Sequence, residues 1–174
     1  ATWGEVDFDN AVWTIPKERM KTGKPHVVYL STQAQDVLVT FKTCFASSRY
    51  LHPGRYDMDT PISNATLNRV IEVAVEAIRA KGEDFQNFTV HDLRRTASSL
   101  LNEAGFNRDW IEKCLAHEEG SIRGVYNKAE YGEQRRVMLQ AWADMIDAWS
   151  RGESVREIVR AAKVAAADVD MKIG

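Results

Sequence analysis

Near residue 31 the hydrophobic pattern of this chain changes period, and that change predicts a small sheet first and helices afterwards. Ala11-Val12-Trp13-Thr14-Ile15 and His26-Val27-Val28-Tyr29-Leu30 are β-branched and aromatic runs of strand length. The stretch from Pro16 to Pro25 between them is polar and basic with Gly23, and reads as the loop of an antiparallel hairpin. A shorter strand around Trp3 to Val6, turning at Asp9-Asn10, makes the sheet three-stranded. From Ser31 on, apolar residues recur at helical spacing.

The first predicted helix runs from Gln33 to Phe45, with Ala34, Val37, Leu38, Phe41 and Phe45 on one face. Residues 46–62, with Pro53, Gly54 and Pro61, read as a long surface loop. Ser63 is placed to cap a helix reaching about Lys81, with Leu67, Val70, Ile71, Val73, Ala74, Ala77 and Ile78 inward and Gly82 as the stop. Thr89 and Asp92 make a Thr-x-x-Asp capping box that starts a helix ending near Gly105. Asn107 caps another through Trp110, Ile111 and Leu115. Glu133 to Trp149 carries Val137, Met138, Ala141, Trp142, Met145, Ile146 and Trp149 on one face. Gly152 breaks that pattern before a last amphipathic helix with Val155, Ile158, Val159, Ala162 and Ala166. The expected fold class is α+β, mainly helical, with a small antiparallel sheet at one edge.

At 174 residues the chain has the size of one domain with a real core. The balance of 23 basic and 25 acidic residues, net −2, announces no nucleic-acid binder, so any DNA-facing surface is local. Basic residues do cluster: Lys17, Arg19, Lys21, Lys24 and His26; Arg94 and Arg95; then Arg123, Lys128, Arg135 and Arg136. Each cluster alone is also what a solvated face looks like. Cys44 and Cys114 lie far apart in apolar helical contexts, which suggests buried, reduced thiols in an intracellular protein rather than a disulfide or a zinc knuckle. No run has the length of a membrane span, and the N-terminus lacks a signal-peptide layout, so a soluble cytoplasmic protein is expected.

The chemistry concentrates in Thr89-Val90-His91-Asp92-Leu93-Arg94-Arg95-Thr96, followed by Leu115-Ala116-His117 and then Tyr126. A phenol can store a phosphodiester bond covalently, an arginine offers a fork matched to phosphate, and imidazoles can donate to phosphoryl oxygens. His91 and Arg94, three apart, share one face of a helix whose N-terminus favours anions. Each residue also has an ordinary reading. His91 can cap a helix, Arg94 or Arg95 can pair with Glu103 or Asp92, and Tyr126, near Tyr131, can be an aromatic anchor. Cys114 and His117 have half of a metal-ligand spacing, but no second pair appears, so no metal or other cofactor is expected.

As an ordered set these residues resemble the catalytic half of the tyrosine recombinases, in particular the phage-type integrases. The resemblance runs from about Trp3 to Trp149, and residues 1–150 would be the catalytic domain with 151–174 as a C-terminal amphipathic tail. It implies that His91 and Arg94 are catalytic, that His117 is the second histidine, with Ala116 where the family usually has glycine, and that Tyr126 is the nucleophile. The family's catalytic lysine lies in a β-hairpin loop; Lys21 fits, with Lys24 as fallback. DNA contacts are expected from Lys24, Arg95, Arg123 and Lys128. The family's first catalytic arginine precedes the first strand and has no counterpart here. The chain is therefore expected to be a C-terminal piece of a longer integrase, the alternative being a small protein that lost its initiator methionine. Such a piece would cleave DNA poorly, because one missing transition-state donor costs about a hundred- to a thousandfold.

The resemblance further implies site-specific recombination, by integration or excision of a phage or genomic island, through a 3′-phosphotyrosyl intermediate. The partners would be a double-stranded attachment site, a homo-tetramer on DNA and an accessory DNA-bending protein, in a bacterial or phage-encoded, nucleoid-associated setting. Two rivals stay open: a non-catalytic DNA-binding module of the same fold, and a strand-passing enzyme of the type IB topoisomerase kind.

Overall fold

A computed structural model of the protein describes residues 1–116 and 130–173. A three-stranded antiparallel sheet in the order β1-β2-β3 sits at one edge, with β1 Val6–Asp7, β2 Val12–Ile15 and β3 His26–Tyr29. The register pairs Val6 with Trp13, and Trp13 with Val28. The first strand is shorter and later than the sequence suggests: Trp3–Glu5 forms a 3-10 turn, which leaves two residues for β1. Asp7 drives the turn to β2, accepting from the Asn10 backbone at 2.9 Å and the Asn10 amide at 2.7 Å.

Six helices follow among the described residues: α1 Thr32–Cys44, α2 Asn64–Arg79, α3 Val90–Glu103, α4 Arg108–Cys114, α5 Gly132–Ser150 and α6 Arg156–Ile173. The sequence signals for their ends are local, and all but the Ser63 cap hold. Ser31 caps α1 by accepting from the Ala34 N–H, and Asn107 caps α4 by accepting from Asp109. Helices α3 and α5 end in paired return bonds, Gly105 to Asn102 with Phe106 to Leu101, and Gly152 to Trp149 with Glu153 to Ala148. Gly105 and Gly152 take the positive φ this ending requires, 78° and 72°. The Ser63 side chain, expected to cap α2, makes no bond to the helix backbone and meets the Thr66 hydroxyl instead, at 3.1 Å.

The core gathers Leu101 of α3, Phe106, Trp110 and Ile111 of α4, Met138 and Ala141 of α5, and Ala162 and Ala166 of α6. The C-terminal helix thus packs on its own chain. Residues 46–62 are not merely a surface loop: Leu51 and Ser48 are buried, and the Leu51 N–H donates to the Ala1 carbonyl at 3.1 Å.

Three other expectations fail. The face assigned inward on α2 is largely in solvent, with Leu67, Val70 and Val73 exposed and Val75 alone fully buried. Ile146 and Trp149 of α5 are likewise exposed, because the buried stripe runs through Gln134, Arg135, Met138, Ala141, Met145 and Ala148 instead. Cys44, expected to be buried, is exposed at the end of α1. Where α5 meets the sheet, its first residue leaves no spare room: a Cβ at Gly132 would lie 2.6 Å from the Tyr29 hydroxyl oxygen.

Candidate active site where α3 meets the end of α4

The first turn of α3 is built by its own sequence. Thr89 accepts from the Asp92 N–H, while Asp92 accepts from the Thr89 backbone at 3.0 Å and its hydroxyl at 2.8 Å. Those two bonds, the hydroxyl's first, hold the Asp92 carboxyl below the usual carboxylate range. The Val90 N–H donates to the Asn68 side chain at 3.2 Å, tying this turn to α2. His91 and Arg94 stand exposed on one face of the turn. Arg95 points elsewhere and pairs with Asp92 at 3.7 Å, the exposed bridge that the sequence left open for it.

Arg94 crosses to the end of α4 and donates to the Leu115 carbonyl. The contact joins the His-x-x-Arg motif to the Leu-Ala-His motif, although 21 residues separate the two partners in sequence. A carbonyl at a helix C-terminus is a natural partner for a cation. The next residue, Ala116, has φ 51°, the left-handed region that glycine enters freely. Alanine in the position where the resembled motif carries glycine therefore costs about 1 kcal/mol of backbone strain.

Lys21 and Lys24 are exposed on the β2–β3 connection, which is more ordered than a plain loop: Lys17–Arg19 forms a 3-10 turn, and Gly23 turns back with its N–H on the Met20 carbonyl. Glu5 anchors that turn. It accepts from Trp13 and Thr2, each at 3.0 Å, and from Arg19, two residues before Lys21. Burial pushes the Glu5 carboxyl up, but these donors outweigh it and hold the group low. No described contact joins Lys21 to His91 or Arg94.

His117, Arg123, Tyr126 and Lys128 lie outside the described residues, so His91 and Arg94 are the sequence-predicted catalytic residues that the described geometry places together. Among the described residues, no group of three His, Cys, Asp or Glu side chains is arranged to hold a metal, and no helix is long and apolar enough to cross a membrane.

Two residues that sequence reasoning passed over lie where β3 and α5 come near the end of α4. Arg135, counted there with a basic surface cluster, is only 2 % exposed. Its spacing from Met138 and Ala141 could have placed it on the buried face of α5. The half-buried His26, at the start of β3, lies next to the Cys114 backbone at the end of α4. Burial and then the neighbouring Arg135 guanidinium depress its imidazole pKa. Burial also pushes the Cys114 thiol up, against the opposing pull of the neighbouring Arg135 guanidinium.

The sequence profile of the phage integrase family matches residues 1–133, which take in every motif described above. The chain belongs to the phage integrase family. It is 41% identical over 147 residues to the prophage integrase IntZ of Escherichia coli (strain K12), covering 83% of this chain and 34% of that protein. It is 36% identical over 156 residues to the prophage integrase IntA of the same strain, covering 89% of this chain and 36% of that protein. With the integrase of Shigella phage Sf6 it shares 36% identity over 148 residues, 83% of this chain and 36% of the phage protein. No solved structure matches it. The chain thus spans about a third of the length of the curated relatives it matches.

Proposed function

We propose that residues 1–174 form the catalytic part of a recombinase that integrates or excises DNA at specific sites through a 3′-phosphotyrosyl intermediate, with 1–150 as the catalytic unit and 151–174 as a C-terminal extension. In this reading the Tyr126 phenol gives up its proton to solvent as its oxygen attacks the scissile phosphorus, and the 5′-oxygen leaves, taking a proton from Lys21. Arg94, His91 and His117 hold the non-bridging oxygens as charge develops on them. Attack of a DNA 5′-hydroxyl on the phosphotyrosyl bond reverses the step and releases the phenol, so the chemistry consumes no external energy source. Lys24, Arg95, Arg123 and Lys128 contact the phosphate backbone, which makes binding strongly salt-dependent.

The observation that carries the reading is the bond from Arg94 to the Leu115 carbonyl. It sets a permanently charged phosphate ligand from one motif against the residue that opens the other. The family membership and the names of the relatives support the same reaction. The partners would be a double-stranded attachment site, three further copies of the chain in a synaptic tetramer and an accessory DNA-bending protein, with the protein in the cytoplasm at the nucleoid.

A nicked suicide duplex carrying the attachment site tests the proposal with a chain extended to the relatives' length, a covalent adduct being read on a denaturing gel. Tyr126→Phe is expected to abolish the adduct while binding and folding persist. Tyr131→Phe is expected to leave it largely unchanged, because Tyr131 sits at the start of α5 against the core. The reverse pattern would overturn the assignment of the nucleophile. DNA binding with no adduct from the unaltered protein would overturn the recombinase reading itself.

A further inference from the structure

Arginine is almost never fully buried unless its donors are met. Arg135 is 2 % exposed, yet among the described residues its carboxylate partner, Glu130, is 3.9 Å away on an exposed side chain. Among the described residues, what meets the guanidinium is main chain and an aromatic ring from different parts of the sequence. It donates to the Val27 carbonyl of β3 at 2.5 Å and the Glu130 carbonyl at 3.3 Å, lies over the Tyr29 ring at 5.1 Å, and neighbours the Cys114 thiol at the end of α4, whose charge state it influences. Its Nε–H has no partner among the described residues. A planar fork with several donors can bridge segments in this way, whereas an ammonium has no such rigid geometry.

Each bridged segment leads to the candidate site. Strand β3 continues from the connection that carries Lys21 and Lys24. Cys114 precedes Leu115, whose carbonyl takes the Arg94 guanidinium. Glu130 leads into α5 and is also paired with Lys113 of α4 at 3.3 Å. We propose that Arg135 is a positioning residue of the recombinase site: by joining β3, the last turn of α4 and the start of α5, it sets where Leu115 holds Arg94 relative to the lysine-bearing connection. The proposal rests on the recombinase reading, but it concerns a residue that makes no contact with DNA in that reading.

Arg135→Lys keeps the charge and loses the fork. It is expected to leave the DNA Kd within about twofold, while the adduct rate constant at saturating DNA falls about tenfold or more, the order expected when reacting groups shift by less than an ångström. In the same protein labelled with 15N-arginine and free of DNA, the Arg94 Nε–H resonance is expected to move toward the position of a solvent-exposed arginine. A folded Arg135→Lys protein with an unchanged adduct rate or an unchanged Arg94 resonance would overturn the proposal. Should that variant fail to fold, Glu130→Gln decides, since it alters an exposed carboxylate beside Arg135 and Lys113. It is expected to shift the same resonance and slow the adduct at unchanged melting temperature, and no effect on either would overturn the proposal. Absence of adduct from the unaltered protein would count against the recombinase reading alone, because the resonance is read without DNA.

Discussion

Helices α5 and α2 carry similar sequence patterns and meet different fates. On α5 the apolar stripe through Met138, Ala141, Met145 and Ala148 is buried, and α5 has β3, α1, α4 and α6 as neighbours, of which α4 and α6 share the core with Met138 and Ala141. On α2 the stripe is just as regular, but its main neighbour is α3, and Leu67, Val70 and Val73 stay 43%, 62% and 51% exposed. Periodicity states that a helix has an apolar face. How much of that face is buried depends on which other elements pass over it, and that is a property of the whole fold.

The comparison can be broken most directly at Met138, which is fully buried in the core. Met138→Ala is expected to cost about 2 to 5 kcal/mol in urea or thermal unfolding, the usual range for truncating a large buried side chain. A loss below about 1 kcal/mol would mean that the α5 stripe is no better packed than that of α2. The same test can be run within α2 itself, using one substitution on two faces. Val75→Thr buries a hydroxyl where Val75 is 2% exposed and is expected to cost about 1 to 3 kcal/mol.

A pH titration sharpens the contrast further, because His26 is packed beside Arg135 and the end of α4. Its imidazole, like that of His52, is depressed chiefly by burial. Above the ordinary imidazole value of about 6.5 both imidazoles are neutral in the folded and the unfolded chain, and stability does not depend on these groups. As pH falls through that value the unfolded chain binds protons first, so stability declines until the folded histidines also protonate. The melting temperature is expected to be lower at pH 5.5 than at pH 7.5, and His26→Gln to reduce the slope; a flat profile would deny the burial of His26. The smallest effect belongs to Val70→Thr on the exposed side of α2, expected within about 0.5 kcal/mol by the same melts. A larger loss would show that Val70 is covered in solution.

What could be read from the sequence follows from the range of each interaction. The capping box of Thr89 and Asp92, the Asn107 cap and the stops at Gly105 and Gly152 depend on residues within a few positions, and the structure reproduces them. The pairing of His91 with Arg94 on one helical face is likewise local. The first strand was displaced because Trp3–Glu5 prefers a 3-10 turn, with the Glu5 N–H on the Thr2 carbonyl and the Glu5 side chain drawn toward Trp13 and Arg19. Arg135 was misread because a composition count sees a cation, whereas its burial depends on carbonyls that the fold brings over from Val27 and Glu130. The exposure of Cys44 was missed for a related reason: an apolar neighbourhood in sequence does not say which way the last turn of a helix faces.

The close approach of Gly132 to Tyr29 governs how α5 is seated. Arg135 and Arg136 both lie over the Tyr29 ring, at 5.1 and 4.8 Å, while the first residue of the helix meets the hydroxyl end of the same side chain. Sliding the helix by one residue would bring the Cβ of Glu133 toward that oxygen and turn every side chain behind it by about 100°. Tyr29 thus acts as a stop that admits one rotational setting of α5. The orientation of Met138 and Ala141 toward the core, more than a turn of helix away, is already determined where that helix begins.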